Sequence, residues 1–82
     1  MKFMIEFPIR AGNKNRAVEA FEQRGPNRHP GVTFRGAWIG AHADVVFALV
    51  ESADESLVTC AAKSWTETGN CRITQVMDLE QF

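Results

Sequence analysis

The stretch that most constrains this chain is the hairpin Val32 to Glu51, VTFRGAWIGAHADVVFALVE. Its second arm, Val45 to Val50, is apolar on both parities: Val45, Phe47 and Leu49 on one, Val46, Ala48 and Val50 on the other. A strand with one face in water alternates apolar and polar residues. This one does not, so both of its faces need cover. Helices of the same chain can cover one. The other calls for a second layer of atoms, most simply another copy of the chain.

The flanking sequence supplies the other elements. Lys2 to Phe7 alternates, with Phe3, Ile5 and Phe7 on one face and Met4 and Glu6 on the other. Pro8 ends that strand because it has no N–H for the ladder. Arg10 to Asn13 is a turn containing Gly12, and Asn13 is a good N-cap for a helix from Lys14 to Arg24. Ala17, Val18 and Phe21 form its apolar stripe. Gly25-Pro26 is the stop: glycine accepts the left-handed C′ conformation and proline cannot continue the helix. Strand two, about Val32 to Gly40, and strand three, about Asp44 to Glu51, are joined by the loop Ala41 to Ala43. That loop is short enough to make them antiparallel neighbours. Ser52-Ala53-Asp54-Glu55 reads as a capping box, with Ser52 accepting from the Glu55 N–H and the Glu55 carboxylate reaching back to Ser52. The helix it opens runs to about Thr66, with Leu57, Val58, Ala61, Ala62 and Trp65 on one stripe. Gly69-Asn70 ends it. Strand four is about Cys71 to Met77, and Asp78 to Phe82 is a tail that either frays or docks Leu79 and Phe82.

The order β-α-β-β-α-β over residues 1–82 predicts one ferredoxin-like α+β domain. Such a domain has a four-stranded antiparallel sheet with two helices on one face, and strands one and three at its centre. The central place of strand three accounts for its apolar character.

Composition narrows the function. A chain of 82 residues buries only roughly 60–65% of its unfolded surface, so a lone copy is marginal. This also points to a homodimer. The net charge of −1 supplies no field that favours nucleic acid or membrane. The charge is uneven: residues 1–36 hold seven Lys or Arg against three Glu, +4, and residues 37–82 hold two against seven Asp or Glu, −5. Cys60 and Cys71 form no CxxC and have no His at metal-ligand spacing, so they read as reduced thiols of a cytoplasmic protein. No metal and no cofactor are expected. No apolar run approaches the roughly 18 residues of a membrane span, and the N-terminus MKFMIEFPIR is not a signal peptide.

The opening strand MKFMIEF, the helix end Phe21-Glu22-Gln23-Arg24-Gly25, the Trp38 strand, the strand Phe47-Ala48-Leu49-Val50-Glu51 and the Trp65 helix together resemble a family of short bacterial proteins of unknown function. The resemblance covers nearly the whole chain. That family is similar in turn to the dimeric α/β-barrel proteins, in which two ferredoxin-like sheets pack face to face. It implies a homodimer that is a ligand-binding or interaction module. The alternative it implies is a small cofactor-free enzyme, monooxygenase-like or small-molecule-degrading. No catalytic motif of these relatives can be placed on this chain residue by residue, so the likeness speaks for fold.

Several side chains are candidates for chemistry. Glu6 sits mid-strand on the face opposite Phe3, Ile5 and Phe7. A partner's cover there would raise its pKa and suit it to act as a base; the simpler role is an ion pair with Arg35 or Arg72. His29 and His42 lie in loops, where a histidine can be a general base, though two loop histidines without a third ligand do not make a metal site. Trp38, flanked by Gly36 and Gly40, would floor a small-molecule pocket or let another side chain pack beside it. Arg10, Lys14 and Arg16 surround Gly12 where helix one begins, a place where anions bind. This is similar to the phosphate cradle of the acylphosphatases, which share the βαββαβ order. Their glycine-and-valine loop is absent, and a solvated basic rim fits better. Arg10 and Arg35 remain the ligand-binding candidates beside Trp38. Stacking of RNA bases on strands one and three is disfavoured, since Asp44 and Glu51 bracket a strand three with no Lys or Arg.

Overall fold

The computed structural model describes residues 1–24, 29–66 and 70–82. The elements are β1 (Lys2–Pro8), α1 (Lys14–Arg24), β2 (Thr33–Ile39), β3 (Val45–Glu51), α2 (Glu55–Trp65) and β4 (Arg72–Val76), followed by a 3₁₀ turn, Leu79–Gln81. The helix stops expected at Gly25 and Gly69 lie outside the described residues.

The four strands stand in the order β2-β3-β1-β4, every neighbouring pair antiparallel. This is the ferredoxin-like arrangement, with β1 and β3 central. Their register pairs Phe3 with Val50, Ile5 with Ala48 and Phe7 with Val46. Those six side chains share one face, and all are buried. Ala17 of α1 and Val58, Ala61, Ala62 and Trp65 of α2 join them in a single core. Ala48 of β3 and Ala61 and Ala62 of α2 are all fully buried in that core. Among the described residues, no helix is long and apolar enough to cross a membrane.

An aromatic group closes the core at the α1 side. The Phe21 ring meets Trp65 at 5.5 Å and Phe34 at 5.6 Å, and Phe7 meets Trp65 at 6.3 Å. Phe34 reaches this face through an irregularity in β2. Phe34 pairs with Val50 but Gly36 pairs with Leu49, so Arg35 is an extra residue that shifts the register. A bulge of this kind swaps the faces of the residues beyond it. Phe34 therefore points to the helices while Gly36 and Trp38 point away from them.

Two sequence expectations need correction. The second helix is capped by Asp54, not Ser52: Asp54 Oδ1 accepts from the Ser56 N–H at 2.9 Å and the Ser56 hydroxyl at 2.7 Å. The Ser52 N–H is already spent on the Met1 carbonyl at 2.9 Å, which extends the β1–β3 ladder. Ser52 is buried, and its hydroxyl accepts from the Asp54 N–H instead. Nor do all the predicted stripe residues face inward. Val18 and Leu57 are each 40% exposed, because each lies at the margin of its stripe.

The turn into α1 depends on Gly12. The Arg10 carbonyl accepts from the Asn13 N–H at 3.0 Å, and Gly12 sits between them at φ +81°. Asn13 occupies the N-cap position, its carbonyl accepting the Ala17 N–H at 2.8 Å. Nothing crowds a Cβ at Gly12, so any penalty there is purely conformational. Gly12→Ala should cost about 1–2 kcal/mol and Gly12→Asn clearly less, since Asn tolerates the left-handed region. Urea melts with an unchanged m-value would measure it, and equal midpoints for the two variants would contradict this account of the turn.

Candidate functional site

Because β1 and β3 are central, their second parity faces away from both helices. Met4, Val45, Phe47 and Leu49 lie on this open face, half-buried by one another. Trp38 pairs with Phe47 across β2–β3, is 55% exposed, and lays its ring over Gly36. The space over Gly36 is thus taken by the Trp38 ring itself rather than by a ligand or another side chain. Gly40 has a different role: a Cβ there would stand 2.5 Å from the Ala43 carbonyl oxygen, so glycine is required by the close approach of the hairpin loop.

Three ion pairs edge this face. Lys2 Nζ meets Asp78 at 3.1 Å, Arg35 meets Glu51 at 3.1 Å, and Arg72 Nε lies 3.8 Å from Glu6. Of the two partners considered for Glu6, Arg72 is adjacent across β1–β4, while Arg35 is engaged by Glu51. The hydrogen bond from Arg35 holds the Glu51 carboxyl below its ordinary pKa, helped by the charges of Arg35 and Lys2.

The other candidates are dispersed. Arg10 is exposed in the β1–α1 turn and His42 is exposed in the β2–β3 loop. Lys14 is not a free anion ligand: its ammonium donates to the Gly40 carbonyl at 2.7 Å and to Ala41 at 3.4 Å, tying α1 to that loop. His29 lies on the helix side, its ring 5.4 Å from Trp65 and its Nε2 2.9 Å from the Ser64 hydroxyl. Sequence reasoning missed Ser64, because 35 residues separate the two and neither stands in a motif.

A serine beside a histidine invites a nucleophile reading, and the geometry opposes it. The Ala61 carbonyl, 2.8 Å from the Ser64 hydroxyl, competes with the imidazole for its single proton. Ser64 also sits in the last turn of α2, where the helix presents carbonyls rather than N–H groups to a developing oxyanion. Among the described residues no cluster of three or more His, Cys, Asp or Glu could hold a metal ion. Cys60, exposed on α2, and Cys71, half-buried before β4, are both free.

The space inside the core is small. A gap of about 20 Å³ between sheet and helices, lined by Phe7, Ile9, Ala17, Phe21, Val46 and Trp65 among others, has room for about one water. Larger spaces open to the surface. One of about 280 Å³ runs between α1 and β2 over Val18, Phe21, Ala37 and Ile39, with Glu22 at its rim. Another of about 410 Å³ lies at the Pro8, Val45 and Cys71 end of the sheet, edged by Glu6, Asp44 and Arg72.

Fold and surface together define a ferredoxin-like α+β domain with one sheet face unoccupied by its own helices. The whole chain, residues 1–82, matches the domain of unknown function DUF3303, and the protein belongs to that family. It is similar in structure to SCO4226 from Streptomyces coelicolor A3(2), with a TM-score of 0.60 and 17% identity over 93% of this chain and 95% of that one. At that identity the likeness concerns the fold. No curated protein matches the chain in sequence.

The carboxylates predict the acid limb of stability. Glu51 is held below its ordinary pKa by Arg35, and Asp54 below its own by the Ser56 hydroxyl and N–H. A depressed folded pKa stabilises in full above the unfolded value and is lost as pH falls through the folded one. Stability should therefore decline below about pH 4.5. The double variant Glu51→Gln, Asp54→Asn should show a shallower decline in thermal melts from pH 6 to 3; a parallel curve would show that other groups govern it.

Proposed function

We propose that this protein is a cytoplasmic, homodimeric interaction module that pairs through the open face of its sheet. The observation that carries the reading is the make-up of that face. Met4, Val45, Phe47, Leu49 and Trp38 form an apolar centre, and the pairs Lys2–Asp78, Arg35–Glu51 and Glu6–Arg72 form its edge. An apolar centre with a polar rim is the anatomy of a protein interface. Each pair cancels its own charge, so two copies meet without net repulsion. The exposed Trp38 indole is the kind of anchor that dominates such contacts. The absence of net positive charge on this face argues against a nucleic-acid partner.

The filled core favours a module over an enzyme. A gap of about 20 Å³ holds no substrate, and the polar candidates do not converge on it. A small-molecule ligand, if the module has one, would be apolar and would lie in the groove of about 280 Å³ between α1 and β2. That groove is also the one feature that favours the second reading, a cofactor-free enzyme of the dimeric α/β-barrel kind. Its one titratable side chain among the lining residues is Glu22, which leaves such an enzyme without a paired acid and base.

The two parities of β3 make the test. Phe47→Lys should give a folded, monomeric protein, whereas Val46→Lys, which buries an ammonium in the core, should not fold. Light scattering over a dilution series, with circular dichroism of each variant, reads both. A parent protein that stays monomeric at several hundred micromolar would overturn the dimer.

A further inference from the structure

We infer that the segment Met77–Phe82 of each protomer is a clasp, seating Leu79 and Phe82 in the groove at the Pro8–Cys71 end of its partner's sheet. The inference rests on the face-to-face pairing proposed above, and it fixes the axis of that pairing.

The tail is built for contact, yet its two large apolar side chains project into solvent. Leu79 is 94% exposed and Phe82 is fully exposed. The backbone that carries them is nonetheless tied down. The Asp78 carbonyl accepts from the Gln81 N–H at 2.9 Å, and Gln81 Oε1 accepts from the Asp78 N–H at 3.3 Å. Lys2 holds the Asp78 carboxylate at 3.1 Å, which joins the tail to the edge of the open face. Two large apolar side chains on a pre-ordered turn lose little entropy on docking.

The area of the sheet face is small. Four strands about 4.8 Å apart, with about six residues each at 3.3 Å, present a flat footprint of about 400 Å² per protomer. Two such footprints total about 800 Å², below the roughly 1,200–2,000 Å² that specific interfaces bury. A buried phenylalanine ring adds about 150–250 Å² on each side. The sheet alone is therefore a weak interface, and the two tails bring it into the stable range.

Register sets the axis. Gly36, Leu49, Met4 and Thr74 form one row across the open face. A half-turn about that row reverses the strands of the second copy. Lys2 then lies over the partner's Glu6, and Arg35 comes beside the partner's Trp38, where a guanidinium suits an indole face. The tail, leaving β4 beyond Val76, passes over the partner's Arg72 and Cys71. There the groove of about 410 Å³ offers Pro8, Val45 and Cys71 as its apolar surface. Acidic Asp78 and Glu80 arrive beside the partner's Arg72. The other half-turn, about an axis along the strands, lays β4 over β2 with like ends together and leaves Leu79 and Phe82 in water.

Disulfide trapping tests the clasp. In a Cys60→Ser background, Phe82→Cys should cross-link under mild oxidation to the partner's Cys71 and run as a covalent dimer. Residues 71 and 82 flank opposite ends of β4, which spans about 17 Å, so a bond within one chain is out of reach. Adding Cys71→Ser should abolish the product. Separately, Leu79→Ser with Phe82→Ser should raise the dimer Kd at least tenfold while leaving the circular dichroism unchanged. A dimer that forms without the Cys71 cross-link, or one whose Kd the double variant does not move, overturns the clasp and leaves the sheet-face dimer standing. A cross-link that survives Cys71→Ser overturns the chosen axis. A parent monomeric at every concentration removes the dimer, and the clasp with it.

Discussion

Everything in this fold depends on the pairing of β1 with β3. The register Phe3–Val50, Ile5–Ala48, Phe7–Val46 stacks six apolar side chains on one face. The interleaved positions Met4, Val45, Phe47 and Leu49 put apolar atoms on the other. The first face collects both helices, because it is the one against which the stripes of α1 and α2 can be buried. Once it is filled, the second face has no helix over it among the described residues, and Leu79 and Phe82 of the tail stay exposed.

How the first face is filled decides what the domain can do. Alanines at positions 48, 61 and 62 are buried in the core, and the rings of Phe7, Phe21, Phe34 and Trp65 close the α1 side. Close packing leaves a water-sized gap rather than a chamber. Among the described residues, the charged side chains lie at the surface. There the charges are arranged pairwise. Glu6, Glu51 and Asp78 each face a cation, and Lys14 is spent on loop carbonyls. The Ser64–His29 contact belongs to the same class, a structural bond that fastens the loop before β2 to the end of α2.

The open face and the tail then form one surface. Lys2 belongs to the first and holds Asp78 of the second. The bulge at Arg35 contributes to both faces at once: it turns Phe34 into the core and leaves Trp38 outside over Gly36. Without the extra residue the two aromatics would share a face, and either the core or the margin of the open face would lose its ring.

By itself the sequence determined the element order, the ferredoxin-like topology and the central place of β3. These follow from local signals: two periodicities, glycine and proline stops, and an apolar run too long to alternate. It also placed Glu6 opposite Phe3, Ile5 and Phe7, because strand parity is a property of adjacent residues. It could not say which parity of β3 meets the helices, since Val45, Phe47 and Leu49 are as apolar as Val46, Ala48 and Val50. That choice was made by cross-strand register, which ties Val46 to Phe7 and Ala48 to Ile5. The cap of α2 was misplaced for a related reason: the Ser52 N–H is taken by Met1, 51 residues away in the chain, and no local pattern records that bond. The same holds for Ser64 beside His29, and for the bulge at Arg35. Each is decided by where distant backbone arrives, which only the assembled sheet fixes.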